Sequence, residues 1–497
     1  MASLHTPMEL IPVIGLETHV QLKTRSKLFC LCIAGGEGLP NAHTCPICLG
    51  HPGALPVLNK EALRFSIRLG LALNGTIATH SKFDRKHYVY PDLSKAYQIS
   101  QFDMPVMEDG SLSLTDEKGE TFSIRIERLH LEEDAGKNIH DASGVTYVDF
   151  SRCGTALCEI VTKPDFTNAA QAKQYLHEMR LIVRTLGVSD GDMERGHLRC
   201  DVNISLREKM PGGTLGPLMP KTEIKNINSF RAVERSIAFE IARQTALWNA
   251  GTPPVITTTR SWNEETGETD LRREKESLGD YRYFPEPDLP PLELSALVQT
   301  LQGTLPELPH VKRARFVKEL GMKPLDAAAL VERIDLAELV DATVHELENA
   351  PQEVQRKATS LLPTWILSKL LSVLDEEKKT LEKSELTPDR FADLLVGIAA
   401  QMITPAKGRD VLQRLVTRTD SYADAVIAVG AGITDSDALE RTIDEILAEN
   451  PKELERYKAG ETKLLAFFLG QVMKKTEGNA NAAESKTVLI GKLQNPM

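Results

Sequence analysis

The period of the hydrophobic pattern changes once along this chain of 497 residues, near residue 300. Before that point several stretches alternate apolar and polar side chains, most cleanly at 13–22 and 198–207, as strands with one buried face do. From 310 to 480 the pattern is helical, with few aromatic residues. A chain of this length exceeds what one hydrophobic core supports. We therefore predict an α+β fold, with a β-rich cradle domain at 8–300, a helical domain at 301–425 and a helical tail domain at 426–497.

Within the cradle domain we expect a mixed or antiparallel sheet with helices packed against it. Three amphipathic stretches predict these helices, and each is preceded by a residue that can cap a helix N-terminus. Asn59 precedes the first stretch, Thr167 the second, and Asn228 or Ser229 the third. Between them lie the alternating segments that predict the strands.

The net charge of −11 and the pI near 5.7 argue against a protein that coats nucleic acid indiscriminately, although a local basic surface could still dock one structured RNA. No apolar run approaches membrane-spanning length, and the first ten residues lack the basic region of a secretory signal. We therefore expect a soluble cytoplasmic protein with no membrane partner.

Four of the seven cysteines, Cys30, Cys32, Cys45 and Cys48, cluster early in the chain. Two close cysteine pairs separated by a loop with Gly and Pro are typical of a tetrahedral Zn²⁺ site. Four thiolates would leave no open coordination position, so we predict a structural zinc ion. The alternative is four unrelated reduced thiols.

The stretch 124–140 begins as an alternating strand and then places Glu132, Glu133 and Asp134 side by side. Adjacent carboxylates repel one another unless a cation lies among them, and Mg²⁺ bound with a substrate phosphate is a frequent solution. The alternative is an acidic turn in solvent. On the strand at 13–22, Glu17 and His19 share one face and suit metal or water binding, although an ordinary polar sheet face has the same pattern.

Two further strands present polar faces that could hold a phosphorylated ligand. The strand at 198–207 carries Asp201 and Asn203 on its polar face, and the segment 221–228 carries Lys225. The loop at 82–101, which includes Lys86, interleaves aromatic and basic residues. Such a loop can grip a nucleic-acid end or line a polar passage, and an ordinary packed loop is equally compatible with it.

Several of these segments together resemble one family, the B subunits of the tRNA-dependent amidotransferases of the heterotrimeric GatCAB type. The resemblance covers nearly the whole chain, in the family's order. It is carried by IGLETHVQL, KLFCLC, HTCPICLGHPGALPVLN, KFDRKHYVYPDLSKAYQISQ, RLHLEEDAGK, LRCDVNISLR, TEIKNINSF, DYRYFPEPDLPPL, AENPKELERYKAG and LGQVMKKTEGNAN.

The resemblance implies a carbon–nitrogen ligase that uses ATP. Such a protein phosphorylates the side-chain carboxylate of Glu-tRNA(Gln), Asp-tRNA(Asn) or both, and ammonia from a glutaminase partner then displaces the phosphate to form the amide. The implied partners are the amidase (GatA-type) and small (GatC-type) members of the heterotrimer and the misacylated tRNA. The implied tail is a YqeY-like domain that contacts the tRNA.

The resemblance also implies roles for individual residues. Glu17, His19, Glu132 and Glu133 would form the catalytic centre and hold Mg²⁺. Asp201, Asn203 and Lys225 would contact nucleotide or substrate, Lys86 would lie near the ammonia path, and the cysteine quartet would hold structural zinc.

Two alternatives accompany this interpretation. One is the paralogous protein that works with an asparaginase-like partner, but its extra inserted domain is not visible between 290 and 330. The other is a non-catalytic zinc-containing tRNA-binding adaptor, against which the intact pairs at Glu17/His19 and Glu132/Glu133 argue.

Overall fold

The structure is a computed structural model. It describes all residues except 1–8, 36–37, 117–118, 211, 276–280, 431–435, 459, 463, 477–479, 481 and 495–497. The chain divides into two compact units, Met1–His310 and Val311–Met497, which we describe separately. In the described residues, no helix combines the length and the apolar character that crossing a membrane requires.

The first unit contains the strands and four helices. Its strands are β1 Leu10–Gln21, β2 Thr76–Ile77, β3 His80–Ser81, β4 Asp84–His87, β5 Tyr97–Ser100, β6 Met107–Thr115, β7 Thr121–Glu133, β8 Lys137–His140, β9 Thr146–Asp149, β10 Ala156–Thr162, β11 Leu198–Glu208, β12 Thr222–Lys225, β13 Thr257–Asn263, β14 Glu268–Lys275, β15 Phe284–Pro285 and β16 Leu292–Glu293. Its helices are α1 Lys60–Ala72, α2 Ala169–Thr185, α3 Phe230–Asn249 and α4 Ser295–Leu301; helix α5 Pro309–Leu320 begins at its end.

The largest sheet has nine described strands in the order β14-β13-β12-β11-β1-β10-β7-β6-β2. Neighbouring strands run antiparallel except β12 and β13, which are parallel, so the predicted α+β fold with a mixed sheet is confirmed. Strand β1 lies near the centre, between β10 and β11. Residues from five neighbouring strands therefore meet around the middle of the sheet.

One face of this sheet forms the hydrophobic core of the unit with α1, α2 and α3. On β1 the side chains of Leu16 and Val20 are buried, and on α2 Tyr175 belongs to the same core. Burial of each aliphatic side chain contributes about 1.5–3 kcal/mol. Because successive side chains of a strand point to opposite faces, the polar residues Glu17 and His19 lie on the other face.

The helix caps agree with the sequence at two of three positions. The Asn59 side chain accepts hydrogen bonds from the first turn of α1, and Ser229 does the same for α3. The prediction for α2 was wrong by one residue, because Asn168 rather than Thr167 accepts from the backbone of Gln171. The Gln171 side chain accepts hydrogen bonds from the backbone N–H and the hydroxyl of Thr167, so Thr167 contacts the first turn of α2 without capping it.

The described secondary-structure elements of the second unit are all helices, and they form two hydrophobic clusters, one within 316–425 and one within 439–493. Its remaining helices are α6 Pro324–Val331, α7 Ile334–Leu347, α8 Gln352–Thr364, α9 Leu371–Glu376, α10 Pro388–Ala399, α11 Pro405–Thr417, α12 Tyr422–Ala428, α13 Ser436–Glu449, α14 Pro451–Lys458, α15 Leu464–Lys475 and α16 Ala482–Gln494. A π-helical turn, Trp365–Leu370, joins α8 to α9. The division of the chain at residues 300 and 425 remains a prediction.

Candidate catalytic and metal sites

Two groups of metal-ligating side chains lie next to each other on the polar face of the sheet. The first group is His19, Glu132 and Glu159, and the second is Glu17, Asp201 and Glu223. Within each group the candidate ligand atoms lie within 4.8 Å of one another. The groups are neighbours because Glu17 and His19 are two residues apart on β1, and residues two apart on a strand share a face.

Strand register brings the first group together. His19 on β1 lies opposite Glu159 on β10, and Glu159 lies opposite His130 on β7. His19 Nε2 is 3.5 Å from Glu159 Oε2 and 3.7 Å from Glu132 Oε1. His130 Nε2 is 3.4 Å from Glu159 Oε2 and 3.7 Å from Glu132 Oε2. Two imidazoles therefore share two buried carboxylates.

The charges in the first group stabilise one another. Burial lowers the pKa of His19, but the carboxylates around it, with Glu159 foremost, raise it to about 9. Burial raises the pKa of Glu159, but His130 and His19 bring it well below its ordinary value. The pKa of Glu132 is also lowered despite its burial. The carboxyl groups of Glu132 and Glu159 are thus both held ionised. A divalent cation could take over the compensating role of the imidazolium protons.

The second group is compensated by a lysine. Lys225 Nζ lies 2.6 Å from Asp201 Oδ2 and 3.1 Å from Glu223 Oε1. Asn203 Nδ2 donates to Glu17 Oε1 over 2.8 Å, and Thr259 Oγ1 donates to Glu223 Oε2 over 2.9 Å. Burial lowers the pKa of Lys225, but the two carboxylates raise it above its ordinary value. The structure thus brings Asp201, Asn203 and Lys225 together at one end of the polar face.

Glu133 lies apart from both groups. Consecutive residues of a strand point to opposite faces, so Glu132 and Glu133 on β7 diverge. Lys95 Nζ donates to Glu133 Oε1 over 2.6 Å, and the backbone N–H of Ile99 donates to Oε2 over 3.1 Å. Both members of this ion pair are buried, with 8% and 5% of their side chains exposed. Its contacts are those of a structural ion pair.

Asp134 is also buried and paired with arginine. Arg199 Nη2 donates to its Oδ2 atom, and Arg152 Nε lies 3.4 Å from the same oxygen. All three adjacent acidic residues, Glu132, Glu133 and Asp134, are buried. The stretch is therefore not an acidic turn in solvent.

Lys86 approaches the first group from the aromatic loop. It lies on the short strand β4, and its Nζ atom is 5.1 Å from the centre of the Tyr281 ring and 5.9 Å from that of Tyr88. Burial lowers the pKa of Lys86, but the nearby carboxylates, Glu132 first, raise it above its ordinary value. An ammonium group between aromatic rings and carboxylates forms the wall of the site on this side.

The four early cysteines converge in one place. The Sγ atoms of Cys30, Cys32, Cys45 and Cys48 lie within 4.8 Å of one another, and those of Cys45 and Cys48 are 3.9 Å apart. A tetrahedral zinc ion with bonds of about 2.3 Å requires sulfur atoms about 3.8 Å apart. A hydrogen bond from Cys30 lowers the pKa of Cys48, and the nearby Lys27 ammonium also lowers it. The quartet therefore fits a tetrahedral thiolate site, and the alternative of unrelated thiols does not account for the convergence.

Comparison with known proteins gives matches along nearly the whole chain. A family model described as the GatB/GatE catalytic domain matches residues 12–299, and one described as the GatB domain matches residues 339–493. The B subunit of the aspartyl/glutamyl-tRNA(Asn/Gln) amidotransferase of Thermodesulfovibrio yellowstonii is 44% identical over 477 residues, which cover 95% of this chain and 97% of that protein. The chain belongs to the GatB/GatE family.

Other members of the GatB/GatE family match to a similar degree. The protein of the same name from Gloeothece citriformis is 44% identical, with 97% of each chain covered. The chloroplastic/mitochondrial B subunit of the glutamyl-tRNA(Gln) amidotransferase of Ricinus communis is 42% identical, with 97% of this chain and 86% of that protein covered. The resemblance seen in the sequence motifs is thereby confirmed.

Sequence reasoning missed two members of the polar face in this GatB/GatE-family chain, His130 and Glu159. Glu223 is recognisable in the sequence because it alternates with Lys225, and the structure places it with Glu17 and Asp201. A signal was present for Glu159, which is the one charged residue in the otherwise apolar segment 156–161. A charged residue in a buried strand needs a partner of opposite charge. The neighbouring strands provide two such partners, His19 on β1 and His130 on β7.

Proposed function

We propose that this chain is the component of a tRNA-dependent amidotransferase, a carbon–nitrogen ligase, in which the misacylated amino acid is activated and amidated. In this proposal a side-chain carboxylate oxygen of Glu-tRNA(Gln) or Asp-tRNA(Asn) attacks the γ-phosphorus of ATP, and ADP leaves. Ammonia then attacks the carbonyl carbon of the acyl phosphate, inorganic phosphate leaves, and the amide forms. Ammonia comes from a GatA-type amidase partner in a complex that also contains a small GatC-type protein.

The observation that supports this function most strongly is the presence of two neighbouring clusters of acidic side chains. Both include a residue of strand β1, His19 in the first cluster and Glu17 in the second. Carboxylates clustered in two neighbouring groups suit two divalent cations, which neutralise the charge of a transferring phosphoryl group and align the attacking and leaving oxygens. A non-catalytic RNA adaptor has no need for two adjacent carboxylates such as Glu132 and Glu159, which are buried and yet held ionised.

The donor sets fit the proposed cations. Oxygen-rich groups of two or three carboxylates suit Mg²⁺, and the imidazole nitrogen of His19 widens the first site to Mn²⁺ as well. We assign His19, Glu132 and Glu159 to one cation and Glu17, Asp201 and Glu223 to the other. In this assignment Glu133 is a positioning residue, because its carboxylate is bound by Lys95.

The remaining polar residues would bind and shield the reactants. Lys225, beside the second group, can donate to a phosphate oxygen, and Asn203 orients Glu17. Lys86 and the tyrosines around it cover the first group, which limits the access of water to an acyl phosphate. The same wall is where ammonia would enter, as the family resemblance implies for Lys86.

The cysteine quartet would hold a structural Zn²⁺, because four thiolates close the coordination shell. The tail domain would contact the tRNA. In α15 the Lys475 ammonium lies 2.7 Å from Glu449 and 3.1 Å from Glu445, so it could meet a phosphate only in exchange for these exposed ion pairs. We place the complex in the cytoplasm, where its tRNA substrates are charged.

The test is ADP formation by the chain co-purified with its amidase partners, with and without Glu-tRNA(Gln) and Mg²⁺. We expect ADP formation to require both. Glu159→Gln should reduce it on the order of a hundredfold while tRNA binding persists, because the first cation loses a ligand. Glu127→Gln is the matched control, since Glu127 is a half-exposed carboxylate on the neighbouring strand β7 that pairs with Lys163. A Glu159→Gln variant as active as the parent would contradict the assignment.

Glu133→Gln separates the two roles considered for Glu133. As a positioning residue it should lower the stability of the fold without changing the Mg²⁺ concentration at half-maximal activity. As a ligand it would raise that concentration. If no ADP forms under any condition while tRNA binds, the adaptor function replaces the kinase function.

A further inference from the structure

Lys27 is a buried lysine beside the cysteine quartet. Its relative exposure is 0%, and its Nζ atom contacts three acceptors from different segments. These are the backbone oxygen of His43 at 2.6 Å, that of Phe150 at 3.5 Å and the Sγ atom of Cys48 at 3.6 Å. In the part of the chain that the structure describes, no carboxylate forms an ion pair with it.

A buried ammonium group needs a compensating negative charge. Removing such an ion from water is unfavourable even after the surrounding protein has relaxed. Carbonyl oxygens solvate the ammonium but do not neutralise it, so the two backbone contacts leave the positive charge uncompensated. The contacting group that can carry negative charge is the Cys48 sulfur, which would be a thiolate when it ligates a metal ion.

The metal site has an uncompensated charge of the opposite sign. Four thiolates and one Zn²⁺ together carry a net charge of roughly −2, which is unfavourable in a partly buried site. Cys30 and Cys48, the two buried members of the quartet, are only 7% and 2% exposed, so bulk water screens their charge weakly. A single ammonium group in hydrogen-bond range of one sulfur atom halves that charge.

We propose that Lys27 is the charge-balancing residue of the thiolate metal site, where its ammonium donates an N–H···S hydrogen bond to Cys48 and tightens zinc binding. This inference rests on the zinc ion of the proposed function but not on the ATP-dependent chemistry. Lys27 acts through Cys48 and is therefore a positioning residue, since it does not itself ligate the metal.

The competing role for Lys27 is purely mechanical. Its contacts with the carbonyl oxygens of His43 and Phe150 join two loops, so its removal could loosen both loops without any electronic effect on sulfur. A readout at the sulfur atom itself separates the two roles. Cobalt(II) in a thiolate site has a sulfur-to-metal charge-transfer band, whose energy falls when a hydrogen bond to the thiolate is lost.

The experiment uses the full-length chain, reduced and stripped of metal, in competition between Zn²⁺ and a chromophoric chelator, followed by Co²⁺ titration. Lys27→Met removes the charge and the donor, and Lys27→Gln keeps a donor but removes the charge. Arg25→Met is the control, because Arg25 is an exposed cation two residues away. Zinc affinity should fall about 10- to 100-fold in both Lys27 variants, as for other outer-shell partners of metal ligands, and should be unchanged in Arg25→Met.

At saturating Co²⁺, the charge-transfer band of Lys27→Met should move to longer wavelength than that of the parent. Zinc affinity within threefold of the parent would overturn the proposal. So would a large loss of affinity with an unshifted band, because that result assigns Lys27 the mechanical role. A parent chain that binds neither Zn²⁺ nor Co²⁺ would overturn the metal site itself, whereas the ADP assay would still test the catalytic assignment independently.

Discussion

Glu240, on helix α3, is a buried charged residue that connects two elements of the fold by hydrogen bonds. Its side chain has no exposed surface, and its carboxylate accepts hydrogen bonds from Arg243 Nε and Gln244 Nε2, each over 2.9 Å. Thr269 Oγ1 on β14 donates to it over 3.2 Å. Burial raises the pKa of Glu240, but the hydrogen bonds from Arg243 bring it below its ordinary value. One residue thereby ties a helix to an edge strand.

We expect Glu240→Gln to destabilise the protein by about 3 kcal/mol at pH 7, because the arginine then lacks its buried partner. A depressed pKa gives stability that is present above the ordinary carboxyl pKa of about 4.3 and is lost as pH falls through the folded-state value. The difference from the parent should therefore shrink below about pH 4. Urea unfolding of the parent and the variant, followed by tryptophan fluorescence at pH 7 and below about pH 4, measures this difference in the free energy of unfolding.

The control for this prediction is Glu234→Gln, on the same helix. Glu234 pairs with Lys173 over 2.7 Å, but both side chains are well exposed, at 38% and 46%. Exposed pairs contribute little, so no measurable change is expected. Equal unfolding midpoints for the two variants at pH 7 would show that the Glu240 network does not stabilise the fold.

At the scale of elements, helix starts and helix crossings in this chain depend on a few small or polar side chains. The Asn59 carboxamide caps α1 and also reaches back to the segment that leads into the cysteine quartet. Its Oδ1 atom accepts from the backbone of Glu61 and Ala62, while its Nδ2 atom donates to the backbone oxygen of Ser26 over 3.0 Å. A cap residue thus orients a loop as well as a helix.

Asn59→Ala should cost about 2 kcal/mol of stability, since it removes the cap and the loop contact together. Asn59→Asp keeps the acceptor and should cost about half as much. Asn168→Ala is the control, because Asn168 caps α2 with a single hydrogen bond to Gln171 and should cost about 1 kcal/mol. Thermal unfolding of the three variants measures these differences. If Asn59→Ala costs no more than Asn168→Ala, the loop contact has no energetic weight.

The packing of Tyr422, on α12, against α10 depends on Gly397. A Cβ atom at this position would overlap the Tyr422 hydroxyl oxygen, so the Tyr422 side chain would have to leave its place. Gly397→Ala should destabilise the helical unit by about 1–3 kcal/mol through overpacking. Tyr422→Phe removes the clashing atom and should recover part of that loss in the double variant, as measured by urea unfolding.

Gly470, on α15, is the matched control for this position. Among the described residues, no atom beyond its chain neighbours and its own helix backbone lies within 4 Å of the place its Cβ would occupy. Gly470→Ala should stabilise the helix by up to about 1 kcal/mol, because alanine has the higher helix propensity. A Gly397→Ala variant that gains stability in the same way would show that the Tyr422 side chain can move aside without cost.

At the scale of the whole molecule, the cysteine quartet is joined to the sheet of its own unit by several contacts. Ser94 Oγ donates to the Cys48 backbone oxygen over 2.8 Å, and Leu28 N–H donates to the Gly154 oxygen over 2.9 Å. Lys95, next to Ser94, holds Glu133 at the end of β7. Order in the thiolate site therefore extends to the strand that carries Glu132.

Removal of metal by a chelator should raise amide hydrogen exchange in 26–51 and in the segments that contact it, near Ser94 and Gly154. Residues 311–497 should exchange as before, because they belong to a separate compact unit with its own hydrophobic clusters. Hydrogen exchange with mass spectrometry measures both regions in one experiment. A rise confined to 26–51, or spread evenly over the chain, would contradict the coupling to the sheet.

Much of this protein could be predicted from its sequence because strand alternation is a local property. The period-2 pattern assigned Glu17 and His19 to one face of their strand and Asp201 and Asn203 to one face of theirs, and the structure has both pairs so placed. The switch to a helical period separated the sheet region from the helical region in the same way. Cysteine spacing was enough to place four thiols in one site.

Strand order was decided only by the tertiary structure. The sequence does not state that β10 lies between β1 and β7, and this neighbourhood is what gives His19 and Glu132 their common partner Glu159. Adjacency in sequence also suggested one role for Glu132 and Glu133, but the pleat of β7 sends them to opposite faces. The sequence by itself therefore determined which side chains share a face within each strand. Which faces meet, and hence which carboxylates can share a cation, depended on long-range pairing between strands that are distant in sequence.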